Sequence, residues 1–360
     1  MNRSACRFLE RKKEAVTQID RSYFTNKKTT VQFVLSLFVF FIHFRRFSPF
    51  QNAGDFLADA MHALYALTHV AVPLFFVISG VLFYRNYSLA STFQKWKSRF
   101  FSLVIPYLVW NTLWLGLALL GHYTPLGAYL GGVDAVLSWE SVINGIFFHG
   151  NFEPFWFILQ LIALIALCPV IYLFLKNKWI GLLTIATYFV LYCRGFRWDR
   201  VLFSDSGMVL FYLVGAWIGI HDCERFMTRR SRGQAWTALC VYAGCCVVTG
   251  VVGYLPKWYT VWQLPLLVKL ISCGAFWIAF DLLDMKKIPD YMSHTFLIYA
   301  MHSLVGATLA KLLRMALPAG ELFTALTALI TFPMTVILIC VFGHLITRYL
   351  PSVKRILCGR

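Results

Sequence analysis

The chain has 360 residues, 59% of them hydrophobic and 14% charged, with a formal net charge of +17. That composition excludes a water-soluble domain, and the 33 Lys and Arg residues, dispersed over loop ends rather than clustered, argue against nucleic acid as a partner. Apolar stretches of spanning length recur from end to end, so the solvent is lipid and the backbone there is expected to be helical.

Residues 1–28 form a basic N-terminal segment ahead of a first span at 29–46. The segment could pass for the start of a signal peptide, but FRRFSPF stands where a small-residue cleavage site would be, so residues 31–44 are expected to remain as a helix. Further spans follow at 67–84, 101–121, 155–175, 179–194, 206–221, 236–254, 261–281, 293–314 and 322–347, and a short basic tail at 348–360. The first, fifth and sixth spans are short or interrupted by polar residues, which suggests helices shielded by their neighbours. The prediction is an all-α polytopic membrane protein, with about ten transmembrane helices around a central pore or cavity. No repeat, flexible linker or low-complexity tract divides it, so residues 29–347 read as one membrane domain.

Orientation follows from the cations, because cytoplasmic loops collect them. With the N-terminus inside, 24 Lys and Arg residues fall in inner segments, against seven outside: Arg45, Arg46, Arg194, Arg197, Arg200, Lys257 and Arg314. The expectation is a multi-pass protein of the cell membrane with both termini cytoplasmic. The ten cysteines contain no Cys-x-x-Cys pair and read as small buried hydrophobes, with neither a metal site nor a redox motif.

Polar residues inside spans are the functional candidates of a membrane protein. His43 sits near the outer end of the first span. Ser79 and Gly80 close P-L-F-F-V-I-S-G in the second, a small pair that admits another backbone or a ligand. Lys95 and Arg99, four residues apart on one helical face, either snorkel at a boundary or hold a phosphorylated ligand. His149, Glu153 and Trp156 crowd the outer mouth of the fourth span, and Tyr299 and His302 share a face of the ninth. Two intramembrane histidines with a cationic pair at the opposite face outline a cavity open at both ends.

Five stretches, FFIH (40–43), FFVISG (75–80), the basic run into VIPYLVW (104–110), PFWFILQLIALIALCPV (154–170) and FLIYAMH (296–302), resemble the membrane-bound acyltransferase 3 family. Members of that family acylate extracytoplasmic sugars and related acceptors using acyl-CoA. Two departures stand out. The basic residue usual eleven positions before the helix-one histidine is Gln32 here, with Lys28 one turn earlier, and Leu103 occupies one position of the family's helix-three Arg-x-x-x-Arg pair.

The resemblance implies an integral membrane O-acyltransferase, with acetyl-CoA the expected donor and a hydroxyl of a glycan or lipid-linked sugar the acceptor. A sugar hydroxyl is a poor nucleophile, so its proton must pass to a base, for which His43 is the candidate, directly or through an acyl-histidine. Tyr299, His302 and Ser79 are candidates to stabilise the oxyanion. Lys95, Arg99, Gln32 and Ser79, with Arg85, are the residues expected to hold the donor, while Glu153 and Trp156 would grip the sugar. The expected partners are acyl-CoA, the glycan acceptor, membrane lipid and a glycan-assembly protein. Lys269, Asp281 and His344 keep open a proton-coupled transporter of a glycan or anion, and Gln32 keeps open an inactive assembly partner.

Overall fold

The computed structural model describes residues 3–44, 64–128, 135–199, 202–254, 263–285, 287–318 and 320–359, the side chains at 3–21, 126, 128, 252–254 and 263 apart. The expected outer-loop cations Arg45, Arg46, Arg200 and Lys257 lie outside these residues. No strand occurs among the described residues, and the chain is an all-α polytopic membrane protein.

Helix α1 (Arg3–Phe44) corrects the expectation of a short first span, because it runs unbroken for 42 residues. Its membrane-length portion begins at Ser22. The polar start of that portion is tolerated because it is buried against protein. Lys27, 1% exposed, lies 2.6 Å from Asp281 in an ion pair. The same carboxylate accepts from Tyr23 Oη and from the Arg230 backbone N–H, so both of its oxygens have a donor.

Helix α2 (Ala71–Tyr84) packs along its length on α9 (Gly207–His221), and glycine is what permits it. A Cβ at Gly215 would lie 2.2 Å from the Val77 carbonyl oxygen, and one at Gly80 would lie 2.6 Å from that of Tyr212. Gly80 of the small pair therefore serves backbone contact, the usual route to close helix packing in lipid. The shortness of α9 is sheltered, as ten of its residues are buried. Helix α8 (Lys178–Cys193) differs from expectation. It is equally short, but Gly181 alone is buried, and Trp179 and Leu183 are 74% and 66% exposed.

The third span starts earlier than residue 101. A 3-10 turn (Leu89–Ser91), α3 (Thr92–Arg99), a π segment (Phe100–Val104) and α4 (Ile105–Tyr123) form one rod. Pro106 cannot offer an N–H to the Ser102 carbonyl, and the chain answers by widening the turn just before it. Beyond α5 (Trp139–Phe147), the fourth span is a 3-10 turn (Glu153–Phe155) with α6 (Trp156–Ala166), bent by 65° from α7 (Cys168–Leu175). Pro169 removes the bond its N–H would make to Ile165, and the freed carbonyl accepts from Trp96 Nε1 at 3.0 Å.

A short α10 (Cys223–Met227) leads into α11 (Arg232–Tyr254) and α12 (Gln263–Ala279), which pair with each other, as do α13 (Thr295–Ala316) and α14 (Glu321–Tyr349). Among the described residues seven helices are long and apolar enough to cross a membrane, or eight counting the bent pair, with α8 and α9 apolar but shorter. The ten expected spans are thus all helical, and not all full crossings. The expected tail is also helical. α15 (Pro351–Cys358) packs on α4, where Trp110 Nε1 donates to the Leu357 carbonyl at 2.9 Å.

Candidate functional site

α1 presents Gln32, Val39 and His43 to one cavity of about 500 Å³, at spacings of seven and four that keep them on one face. α2 adds Val72, Phe75 and Ser79 at helical spacing, and Arg99, Ser102 and Leu103 add the flank of the π segment. Trp156, Phe157 and Tyr299 close one wall. At the end away from His43 the lining is polar: His294, Thr347, and Lys354 and Arg355 of α15.

His43 is the next-to-last residue of α1, yet it is not at the edge of the bundle. Its ring centroid is 5.4 Å from that of His302, seven residues into α13. At 1.5 Å per residue that is about 10 Å from one end of α13 and roughly 20 Å from the other. The last described turn of α1 thus lies beside the middle of α13.

His302 is fully buried, with Nδ1 2.8 Å from the Tyr299 carbonyl and 3.1 Å from that of Ile298. Carbonyls only accept, so Nδ1 carries the hydrogen and Nε2 bears the lone pair. Nε2 has no hydrogen-bond partner among the described residues. Phe40 and Phe152 flank the ring at 5.5 and 5.8 Å. A neutral base next to a second imidazole, walled by aromatics, is an arrangement for passing one proton.

Of the residues read from sequence, His43, Gln32, Ser79, Arg99, Trp156 and Tyr299 meet at this cavity. His302 stands behind His43. The Tyr299 hydroxyl donates to the Pro154 carbonyl, so its hydrogen is not aimed at an oxyanion, and it fixes the start of α6 against α13. The Ser79 hydroxyl lines the cavity and makes no hydrogen bond with a described residue. Lys95 does not line the cavity. Its ammonium donates to the carbonyls of Phe83 and, at 3.2 Å, Arg85, capping the end of α2, and it lies 5.2 Å from the Phe83 ring centroid. Arg85 contacts Met227, Lys28 lies off the cavity beside the paired Lys27, and Glu153 is exposed at the start of its 3-10 turn.

Lys354, Arg355 and His294 were missed. A basic tail after the last apolar run reads as an ordinary topology signal, and the contact between α15 and the π segment has no signature in sequence. Gly359, at φ +68°, lies so close to Ser102 that a Cβ would sit 2.3 Å from its carbonyl oxygen.

A family model described as an acyltransferase domain matches residues 30–344. The chain belongs to the acyltransferase 3 family. It is a membrane acyltransferase. No curated protein and no solved structure matches it. The acyltransferase match takes in His43, Ser79, Arg99, Trp156, Tyr299 and His302, while Lys354 and Arg355 lie beyond it. Two residues of the transport reading are placed elsewhere. Asp281 is neutralised by Lys27, and His344 is on an exposed face of α14.

Proposed function

We propose that this acyltransferase moves an acyl group, acetyl in the simplest case, from acyl-CoA to a hydroxyl of a saccharide on the opposite side of the membrane. The observation behind this reading is one cavity with cations at one end and paired imidazoles at the other. The cationic end suits the nucleotide phosphates, since Arg99, Lys354 and Arg355 offer charge-assisted hydrogen bonds. The apolar walls of Val39, Val72 and Phe75 suit the neutral arm. Gln32, near the cationic end, offers an amide where relatives have a cation.

In the reaction the acceptor oxygen attacks the thioester carbonyl as its proton passes to a His43 ring nitrogen. The C–O bond forms, the tetrahedral oxyanion takes a hydrogen bond from Ser79, and collapse breaks the C–S bond. The thiolate leaves with the proton that His43 returns. His302, its Nδ1–H held by Tyr299, keeps an acceptor nitrogen beside His43 and so favours the proton-bearing imidazole while charge develops. The cation bias supports a donor end and both termini on the cytoplasmic side of the cell membrane. A separate glycan-assembly protein then delivers the acceptor.

Membranes carrying the wild type or His43→Ala are incubated with radiolabelled acetyl-CoA and a saccharide acceptor. The wild type is expected to form a base-labile acylated product. His43→Ala is expected to lose at least about 10²-fold in rate, with expression and insertion retained. Undiminished product from the purified variant would remove the catalytic assignment.

A further inference from the structure

On the other side of Trp156 lies a second cavity, of about 390 Å³. The two share Trp156 and Val72, and Ile42, the neighbour of His43, faces the second. Its polar groups come from segments that the first cavity does not use: His69 just before α2, Asp205 just before α9, and Lys269 on α12. His69 is a wall rather than a base. Its Nδ1 is on the Ala66 carbonyl and its Nε2 is 2.7 Å from Ser272 Oγ. Asp205 is held rigidly, with Gln160 bonding its backbone N–H at 3.1 Å and its carbonyl at 2.8 Å, and with Oδ1 accepting from Gly207 N at 2.8 Å. Burial pushes this carboxyl up from its ordinary value, while the Lys269 ammonium pulls it down. The Met208 backbone N–H also favours the charged carboxylate.

Lys269 makes no hydrogen bond or ion pair with a described residue, although it lines a cavity walled by Ile42, Pro73, Met208 and Val268. The Asp205 carboxylate lies in the same cavity but beyond ion-pair distance, and a half-buried ammonium in apolar surroundings is costly without an anion in contact. We propose that this cavity is the acceptor subsite and that it takes a saccharide unit bearing a carboxylate or a phosphate. The proposal rests on the acyl-transfer reading. Lys269 holds the anion, the Asp205 carboxylate at the cavity wall accepts sugar hydroxyls, and the Trp156 indole offers the flat apolar face on which a pyranose ring lies. The hydroxyl to be acylated then points past Trp156 toward His43.

The test uses the full chain in lipid nanodiscs. Glucuronate, galacturonate and mannuronate oligosaccharides and a hexose phosphate are titrated against neutral oligosaccharides of matched length, into wild type, Lys269→Gln and Lys269→Arg. The wild type is expected to prefer anionic over neutral sugars by about tenfold or more. Lys269→Gln is expected to erase the preference, Lys269→Arg to keep most of it, and all three to bind acetyl-CoA alike. Tighter binding of the uronates or of the hexose phosphate identifies which anion the site takes. Equal affinity for charged and neutral sugars, no binding of any, or a preference that survives Lys269→Gln overturns the proposal. Anionic preference without label transfer from acetyl-CoA would sink the acyl-transfer reading and leave the sugar site. Transfer to neutral sugars alone would do the reverse.

Discussion

A neutral imidazole has one nitrogen that gives a hydrogen and one that takes it, and in His302 the giving nitrogen is already committed to the Tyr299 carbonyl. In the proposed reaction its role is therefore that of a positioning partner to His43. His302→Asn retains a donor for that carbonyl but its amide oxygen does not reach the position of the Nε2 acceptor. The variant is expected to fold, to keep its KM for acyl-CoA and to lose about 10²-fold in kcat, whereas a purely structural role would show as a lowered Tm with normal turnover. The Lys27–Asp281 pair is structural by the same kind of reasoning, because every donor around the carboxylate belongs to the scaffold. Lys27→Met alone is expected to destabilise by about 3–5 kcal/mol, and Lys27→Met with Asp281→Leu to recover much of that, as thermal unfolding in detergent would register. The motif residues were legible one by one, since His43, Ser79, Arg99 and Tyr299 sit in recognisable local strings. Lys27 was not, because a cation among the eight in residues 1–28 looks like all the others until Asp281 is brought beside it.

Among elements, α15 joins the cavity to a part of the chain beyond the family match. Replacing both Lys354 and Arg355 by Gln is expected to raise the KM for acyl-CoA roughly tenfold or more, to flatten its dependence on ionic strength, and to leave acceptor KM in place. An unchanged donor KM would return α15 to the role of a basic tail. The α2–α9 contact makes a contrasting demand on shape. At Gly215 a side chain would collide with main chain that cannot move aside, so Gly215→Leu is expected to abolish a stable, monodisperse protein in size-exclusion chromatography. Helix positions were readable because apolar run length is a strong signal. The 65° bend at Leu167 has a sequence cause in Pro169, but its size was not readable, since the angle depends on the neighbours against which the helix packs.

For the whole molecule, the cation bias yields a topology that labelling can check. Cysteines replacing Ser231 and Lys287 are expected to react with an impermeant thiol reagent from the cytoplasmic side, and those replacing Ser138 and Leu202 from the outer side. The reverse pattern would turn the bundle over and exchange the sides assigned to donor and acceptor. One further consequence follows from Trp156, the side chain common to both cavities. An activated thioester next to a wet compartment is exposed to attack by the commonest nucleophile in the cell, and the indole is the partition that keeps solvent away until a sugar presses against it. Trp156→Ala is expected to release free acetate and CoA from acetyl-CoA with no sugar present, turning a synthetic machine into a leak.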